Sequence, residues 1–463
     1  MGSNSSLIAA AAAKAELMHS NWESTGDYSC KREIIVATQV SSDWTSVEIN
    51  TLSGEWTAEG YGAMNEINQN VLVSEATSVV QKWPSKIDGL FTKWQGLPSP
   101  YTSFGTLEWA AKELNIDPDN PDEQGDDLGG VNTRLAGDIE RLKSRTSDLN
   151  GHYAREFSDY YVNDLPTTIA SQDVLLASLS LAGNAQAEIW KRTDADLMKF
   201  QEDALAAMKD SGPEGGPNGD LVLGLTVVGA LAGALAAVPT LGGSVALFTA
   251  ISTGTAIGAG FESAKTADTS FEDLPMGAGH PDKVFANMED ALDALDTQIR
   301  VQETGIQDFL EAAKGFADSG ACELTPPGLN NAPANEVLSQ QQQLVVNKQS
   351  IAEITQLWLP SLAADLRQAE RYLGVTVDEG FHRDTDVGLA PNGAWAEFNA
   401  LQTRASALMT GLAGDLERAA DKLHEAAAII GKTDADIDQH FRKIEHQVEL
   451  RNLNDPDDVR ELL

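Results

Sequence analysis

Residues 66–94 read EINQNVLVSEATSVVQKWPSKIDGLFTKW, and this stretch decides the fold class. Its apolar side chains are Ile67, Val71, Val79, Val80, Trp83, Ile87, Leu90, Phe91 and Trp94. Steps of three and four put such residues on one face of a helix. Pro84 interrupts the segment and is expected to kink it or split it into two helices, because proline lacks the amide donor and its ring meets the preceding turn. A long amphipathic helix buries its stripe only against partners.

The partners lie further along the chain. Helix signals run from 131 to about 209, broken at Leu165-Pro166, where Asp164 or Thr167 could cap a neighbouring segment. Residues 282–317 show the same period (Val284, Met288, Leu292, Leu295, Ile299, Ile306, Phe309). Residues 335–373 read as a helix with Gln340–Gln343 on its wet face and a kink at Pro360, and 393–450 as a last long helix. The only strand candidate is Glu33-Ile-Ile-Val-Ala37. The expectation is an all-α fold of long antiparallel helical hairpins around a central glycine-rich hydrophobic hairpin.

Residues 1–65 form an N-terminal segment without assigned structure. A first hairpin unit covers 66–210, with an acidic surface insertion at 95–130 that holds one short helix at 106–114. The cluster Asp117–Asp127 reads as a solvated loop; it lacks the EF-hand pattern of a calcium site. Ser211–Gly219 is a Gly/Pro linker, followed by the hairpin at 220–262, a connecting helix and loop at 263–334, and a second unit at 335–463.

The 463 residues include 70 Asp and Glu against 32 Lys and Arg, a net charge of −38. Nucleic acid is excluded as a general partner, since phosphate binding needs clustered cations. Contact with an anionic membrane would have to be hydrophobic. None of this charge falls between Leu221 and Phe261. Pro239-Thr-Leu-Gly242-Gly243 should turn the chain there, leaving two arms of 18 residues. Each arm would span roughly 27 Å as a helix, close to a hydrocarbon core. Gly229 and Gly233, and again Gly254 and Gly258, are spaced for close helix packing. Two readings stay open: a hairpin buried among the amphipathic helices, and one released into a membrane.

Gly151–Ser158 resembles Gly393–Asn399, and Thr193-Asp-Ala-Asp-Leu197 resembles Thr433-Asp-Ala-Asp-Ile437. The two units therefore look like an internal repeat. Asp194 and Asp196 point apart on a helix, so a solvated acidic face is the reading preferred to a metal site.

No catalytic constellation stands out. The seven histidines are scattered, HExxH, GxSxG and phosphate-binding glycine loops are absent, and no cofactor or metal is expected. Cys30 and Cys322 permit one disulfide at most and form no zinc motif. No Lys or Arg precedes the apolar run Leu7–Ala13, so a Sec signal is not expected.

Trp94-Gln-Gly96 at the end of the first long helix, Tyr160-Tyr-Val-Asn-Asp164, and the Ala/Leu-rich helix Leu401–Phe441 together resemble the WxG-type helical-hairpin proteins exported by the type VII (ESX) secretion system of actinobacteria. The resemblance covers roughly 66–210 and 335–450. It departs from the family in the insertion after Gly96, in the early position of Tyr160, and in Gly393-Ala-Trp395, which replaces WxG in the second unit. It implies a non-enzymatic protein, cytoplasmic before export and then secreted or at the cell surface, acting through a helical partner or self-association. Trp94, Gly96, Tyr160 and Asp164 would carry the export signal. The alternative is a pore-forming protein that inserts the hairpin 221–261.

Overall fold

The computed structural model describes residues 2–37, 42–99, 104–116, 132–149, 157–213, 222–223, 226, 274–324, 348–374 and 378–430. It is predominantly helical. Helix α1 is Gly2–His19, followed by strands β1 (Glu23–Gly26), β2 (Ser29–Ala37), β3 (Ser42–Asn50) and β4 (Trp56–Tyr61). Then come α2 (Asn65–Thr92), α3 (Gly105–Leu114), α4 (Thr133–Ser147), a π-helical segment at Ser158–Val162 and α5 (Leu165–Asp210). The two-residue strands β5 (Val222–Leu223) and β6 (Leu274–Pro275) pair with each other. Helix α6 is Pro281–Asp318; α7 (Lys348–Glu353) passes through a π-helical segment at Ile354–Trp358 into α8 (Leu359–Leu373); α9 is Trp395–Ile430.

Helix α5 is the axis of the core. Its residues from Ser171 to Ala182 are all buried, and α1, α3, α6 and α9 pack around it. A helix enclosed in this way loses its polar face, which is why Val174, Leu175, Leu176, Leu179 and Leu181 follow one another closely. Helix α1 is similar. Ile8–Ala13 are buried, and the alanine run lets α2 and α5 approach closely. The apolar run at 7–13 thus builds core.

The fold is not purely all-α. Strands β1 to β4 form an antiparallel sheet in the order β1-β2-β3-β4. Cys30, Val47 and Ile49 on its inner face pack with Leu17, Trp22, Leu72 and Ala76 from α1, α2 and the turn between α1 and β1. The candidate 33–37 lies within β2. Three further expectations change. Helix α2 contains Pro84 and is not split into two helices there. The insertion at 95–130 is partly core, because Phe104, Leu107, Ala110, Ala111 and Leu114 are buried. The Thr193–Leu197 segment is not a solvated face: Thr193 and Asp196 are buried and only Asp194 and Ala195 are exposed. Periodicity put Asp194 and Asp196 on opposite sides, and the inward one was satisfied locally. Asp196 accepts hydrogen bonds from Thr226 N (2.8 Å) and Thr226 Oγ1 (2.7 Å).

The short helix at 106–114, the helix at 282–317 and the loop after 373 match α3, α6 and the segment before α9. The cluster 117–127, the Gln340–Gln343 run, the segment 433–437 and, apart from residues 222, 223 and 226, the stretch 221–261 lie outside the described residues.

Candidate functional site

Two surfaces are built with more definition than the rest. The first lies where α6 meets the segment 378–394. Asp296, Arg300, Glu303 and Gln307 recur on one face of α6 at helical spacing. Glu303 is fully buried, and its carboxylate accepts from Arg383 Nη1 (2.8 Å), Arg383 Nη2 (2.6 Å), Gln186 Nε2 (3.0 Å) and Leu389 N (2.7 Å). Arg383 also donates through Nε to the Val387 carbonyl (2.6 Å), and its guanidinium lies 4.9 Å from the Trp190 ring centroid. The donors match the acceptors, as a buried ion pair requires.

Gly388 (φ +62°) and Gly393 (φ +54°) close this loop over Glu303. A Cβ at either position would meet the Glu303 carboxylate, at 2.4 and 2.7 Å. Outside this anchor lies an open cleft of about 460 Å³, lined by Arg300, Gln307, Asp386, Asn392 and the backbone of 388–393. One cation, one carboxylate and two amides suit a small polar ligand. They lack a nucleophile with an adjacent base.

The second surface is the outer face of the sheet. Ile35 is opposite Trp44 and Trp44 opposite Tyr61, forming a row across three strands. The Trp44 and Tyr61 rings are 6.1 Å apart, and Ile35 and Tyr61 are 67% and 60% exposed. Toward the other end of that face stand Glu33, Glu48 and Glu59, with Lys31 bound to Glu33 at 2.6 Å. Ten large hydrophobic residues are exposed in the described structure, and eight of them lie between Ile35 and Val71.

The residues singled out from sequence are not gathered at either surface. Trp94 is buried in the main core, with its indole N–H unpartnered among the described residues. Gly96 follows in an exposed turn at φ +79°. Tyr160 lies in the π-helical segment, and Asp164 is exposed just before α5 without a side-chain capping bond. Phe91, near Trp94, packs on Phe200 with ring centroids 5.8 Å apart. Asp164 is therefore roughly 54 Å away along α5. Gly229, Gly233, Pro239, Gly242, Gly243, Gly254 and Gly258 lie outside the described residues.

The cysteines are buried, free and chemically quiet. Burial pushes the Cys30 thiol up to about 11 and that of Cys322 up to about 12. Among the described residues no cluster of His, Cys, Asp or Glu could hold a metal ion, and no helix is long and apolar enough to cross a membrane. Sequence reasoning missed the aromatic row, although its signal was present. Val47 and Ile49 alternate with Ser46, Glu48 and Asn50, as in a half-buried strand, but the run is short and Thr45 interrupts it.

No family model, curated protein or solved structure matches this chain.

Proposed function

We propose that the chain is a non-enzymatic interaction protein, a WxG-like substrate or accessory of type VII secretion that works by surface contacts once exported. One observation carries the interaction reading. Among the described residues, exposed large hydrophobics are concentrated in residues 35–71, on the sheet and the first turns of α2, and outside that region only Trp109 and Met198 are exposed. A lone exposed apolar residue is ordinary, but a concentration of this kind marks contact surface. The export route rests on the Trp94–Gly96 and Tyr160–Asp164 sequences. Its test is secretion from a type VII-competent host. Tyr160→Ala with Asp164→Ala should leave the protein folded in the cytoplasm. Undiminished secretion of that variant would refute the route.

A second reading, membrane insertion through 221–261, is favoured by the charge-free stretch and by its tether. Thr226 is bound by Asp196, and its carbonyl accepts from Arg192 Nη1 at 3.1 Å. Breaking the tether with Asp196→Ala should raise dye release from liposomes. If neither form releases dye at any pH, the insertion reading fails.

A further inference from the structure

The sheet has two edges, and they are finished differently. Strand β1 is four residues long, its pairing shifts register between Ser24 and Gly26, and Lys14 Nζ donates to the carbonyls of Gly26 and Asp27. Short length, irregularity and a lysine are the usual means of blocking an edge. Strand β4, Trp56-Thr-Ala-Glu-Gly-Tyr61, has none of them. It contains no Pro or Lys, and its pairing with β3 is regular over all six residues.

The ladder shows which groups are free. Asn50 N donates to the Glu55 carbonyl at 2.8 Å across the turn. Hydrogen-bonded and non-bonded pairs alternate in an antiparallel ladder, so Thr57, Glu59 and Tyr61 turn their amides toward β3. Trp56, Ala58 and Gly60 then direct theirs outward, and among the described residues no strand pairs with that side.

Charge selects the occupant. Residues 33–81 hold seven carboxylates and no Lys, Arg or His. Glu33 and Glu75 are in ion pairs with Lys31 and Arg32, whereas Glu55, Glu59 and Glu66 have no cation within ion-pair distance among the described residues. Glu55 and Glu59 share the outer face with Tyr61, and Trp56 is half exposed on the other face. A second copy is a poor occupant. Each copy carries −38, and two β4 strands would bring their glutamates onto one face.

We infer that β4 is a docking edge for a cationic extended segment of another protein, which adds as a fifth strand. Its backbone bonds to Trp56, Ala58 and Gly60. Its basic residues alternate with apolar ones, the basic side chains meeting Glu55 and Glu59 and the apolar side chains meeting Trp56. This is strand addition at a sheet edge, with affinity from the main chain and selectivity from alternate side chains. It rests on the interaction reading above and names the partner's chemistry.

The test uses the full chain and a fluorescein-labelled ten-residue peptide of alternating Lys and Val, followed by anisotropy. Binding should weaken with added salt. It should fall about tenfold with Glu55→Lys plus Glu59→Lys, which remove the complementary charge from an exposed surface. A Glu/Val peptide should not bind, and N-methylation of alternate peptide amides should abolish binding. Hydrogen exchange should slow at Trp56, Ala58 and Gly60 when the peptide is present. Ala58→Pro removes one outward donor and should also weaken binding; if it misfolds, the charge variants and the N-methylated peptide still decide. Equal binding of the N-methylated peptide, or protection elsewhere than β4, would overturn the edge. Protection at Ile67 and Val71 instead would sink the edge and leave the contact-surface reading intact. Undiminished secretion of the Tyr160→Ala, Asp164→Ala variant with normal peptide binding would instead sink the export route and leave the edge intact.

Discussion

Arg383 Nη2 lies 2.6 Å from Glu303 Oε2, and neither side chain reaches solvent. The pair joins α6 to the segment before α9, and Gln186 and Trp190 join it to α5. Burying two charges is costly, and their attraction offsets that cost only when every donor and acceptor is satisfied. Here Glu303 receives four hydrogen bonds and Arg383 bonds to three residues. The pair therefore fixes the path of the loop that lines the cleft.

Removing one partner should be far worse than removing both. Arg383→Met leaves Glu303 buried and unpaired, and should cost about 3–5 kcal/mol. Arg383→Met with Glu303→Met should recover a large part of that loss. Urea denaturation followed by circular dichroism gives the values. A single-variant loss under about 1 kcal/mol would show that water reaches the site.

The glycines over this pair make a sharper test. Ala at Gly388 or Gly393 needs a positive φ and places Cβ against the Glu303 carboxylate. Each substitution should cost about 2 kcal/mol or more. Gly89 on the exposed side of α2 has nothing within 4 Å of a Cβ, so Gly89→Ala should instead stabilise by about 0.5–1 kcal/mol. Opposite signs in the two sets, measured by thermal melts, are the expected outcome.

How far the sequence disclosed these features depended on distance along the chain. Periodicity located α2, α3 and α6, because helix stripes are local. It did not show that Pro84 could sit inside a continuous helix, since packing of Trp83 and Ile87 holds the turn on either side. The sheet went unread for another reason. Glu33–Ala37 looked strand-like alone, but β3 pairs hydrophobic Val47 and Ile49 with Thr45, and a threonine weakens the alternation. The Glu303–Arg383 pair joins positions 80 residues apart, and no local pattern distinguishes those two residues from other charged ones. Trp94 was legible both as motif and as core; the structure places it in the core and leaves its export role to the secretion experiment.

The thiols should make the fold sensitive to alkali. Both cysteines have pKa values raised by burial, from 9.0 to about 11 and about 12, and burial raises Tyr161 as well. The unfolded chain ionises these groups first, so it gains stability relative to the native state as pH rises. Native stability from this source is intact below about pH 9 and falls through the interval up to the native values. Equilibrium unfolding at pH 8, 9 and 10 should show a declining midpoint, smaller in Cys30→Ala with Cys322→Ala. A thiol reagent at pH 8 should react only as fast as the protein opens. Rapid labelling of the folded chain would contradict the burial of both sulfurs.

Salt should stabilise this protein. Among the described residues, many ion pairs outside the Glu303 cluster are solvent-exposed, such as Arg367–Glu417 and Lys422–Glu425, and pairs of that kind contribute little. Against them stands the mutual repulsion of a −38 surface, which acts over a Debye length of about 30 Å at 0.01 M salt and about 3 Å at 1 M. Screening therefore removes more repulsion than attraction. The melting temperature should rise as sodium chloride goes from about 0.01 to about 0.5 M, with most of the gain at the low end, where the Debye length shrinks fastest. The buried Glu303–Arg383 pair is shielded from the ions, so Arg383→Met should show the same salt slope as the parent at a lower temperature. A melting temperature that falls with salt would mean that the exposed pairs outweigh the repulsion, and the acidic coat would then be a network of attractive contacts.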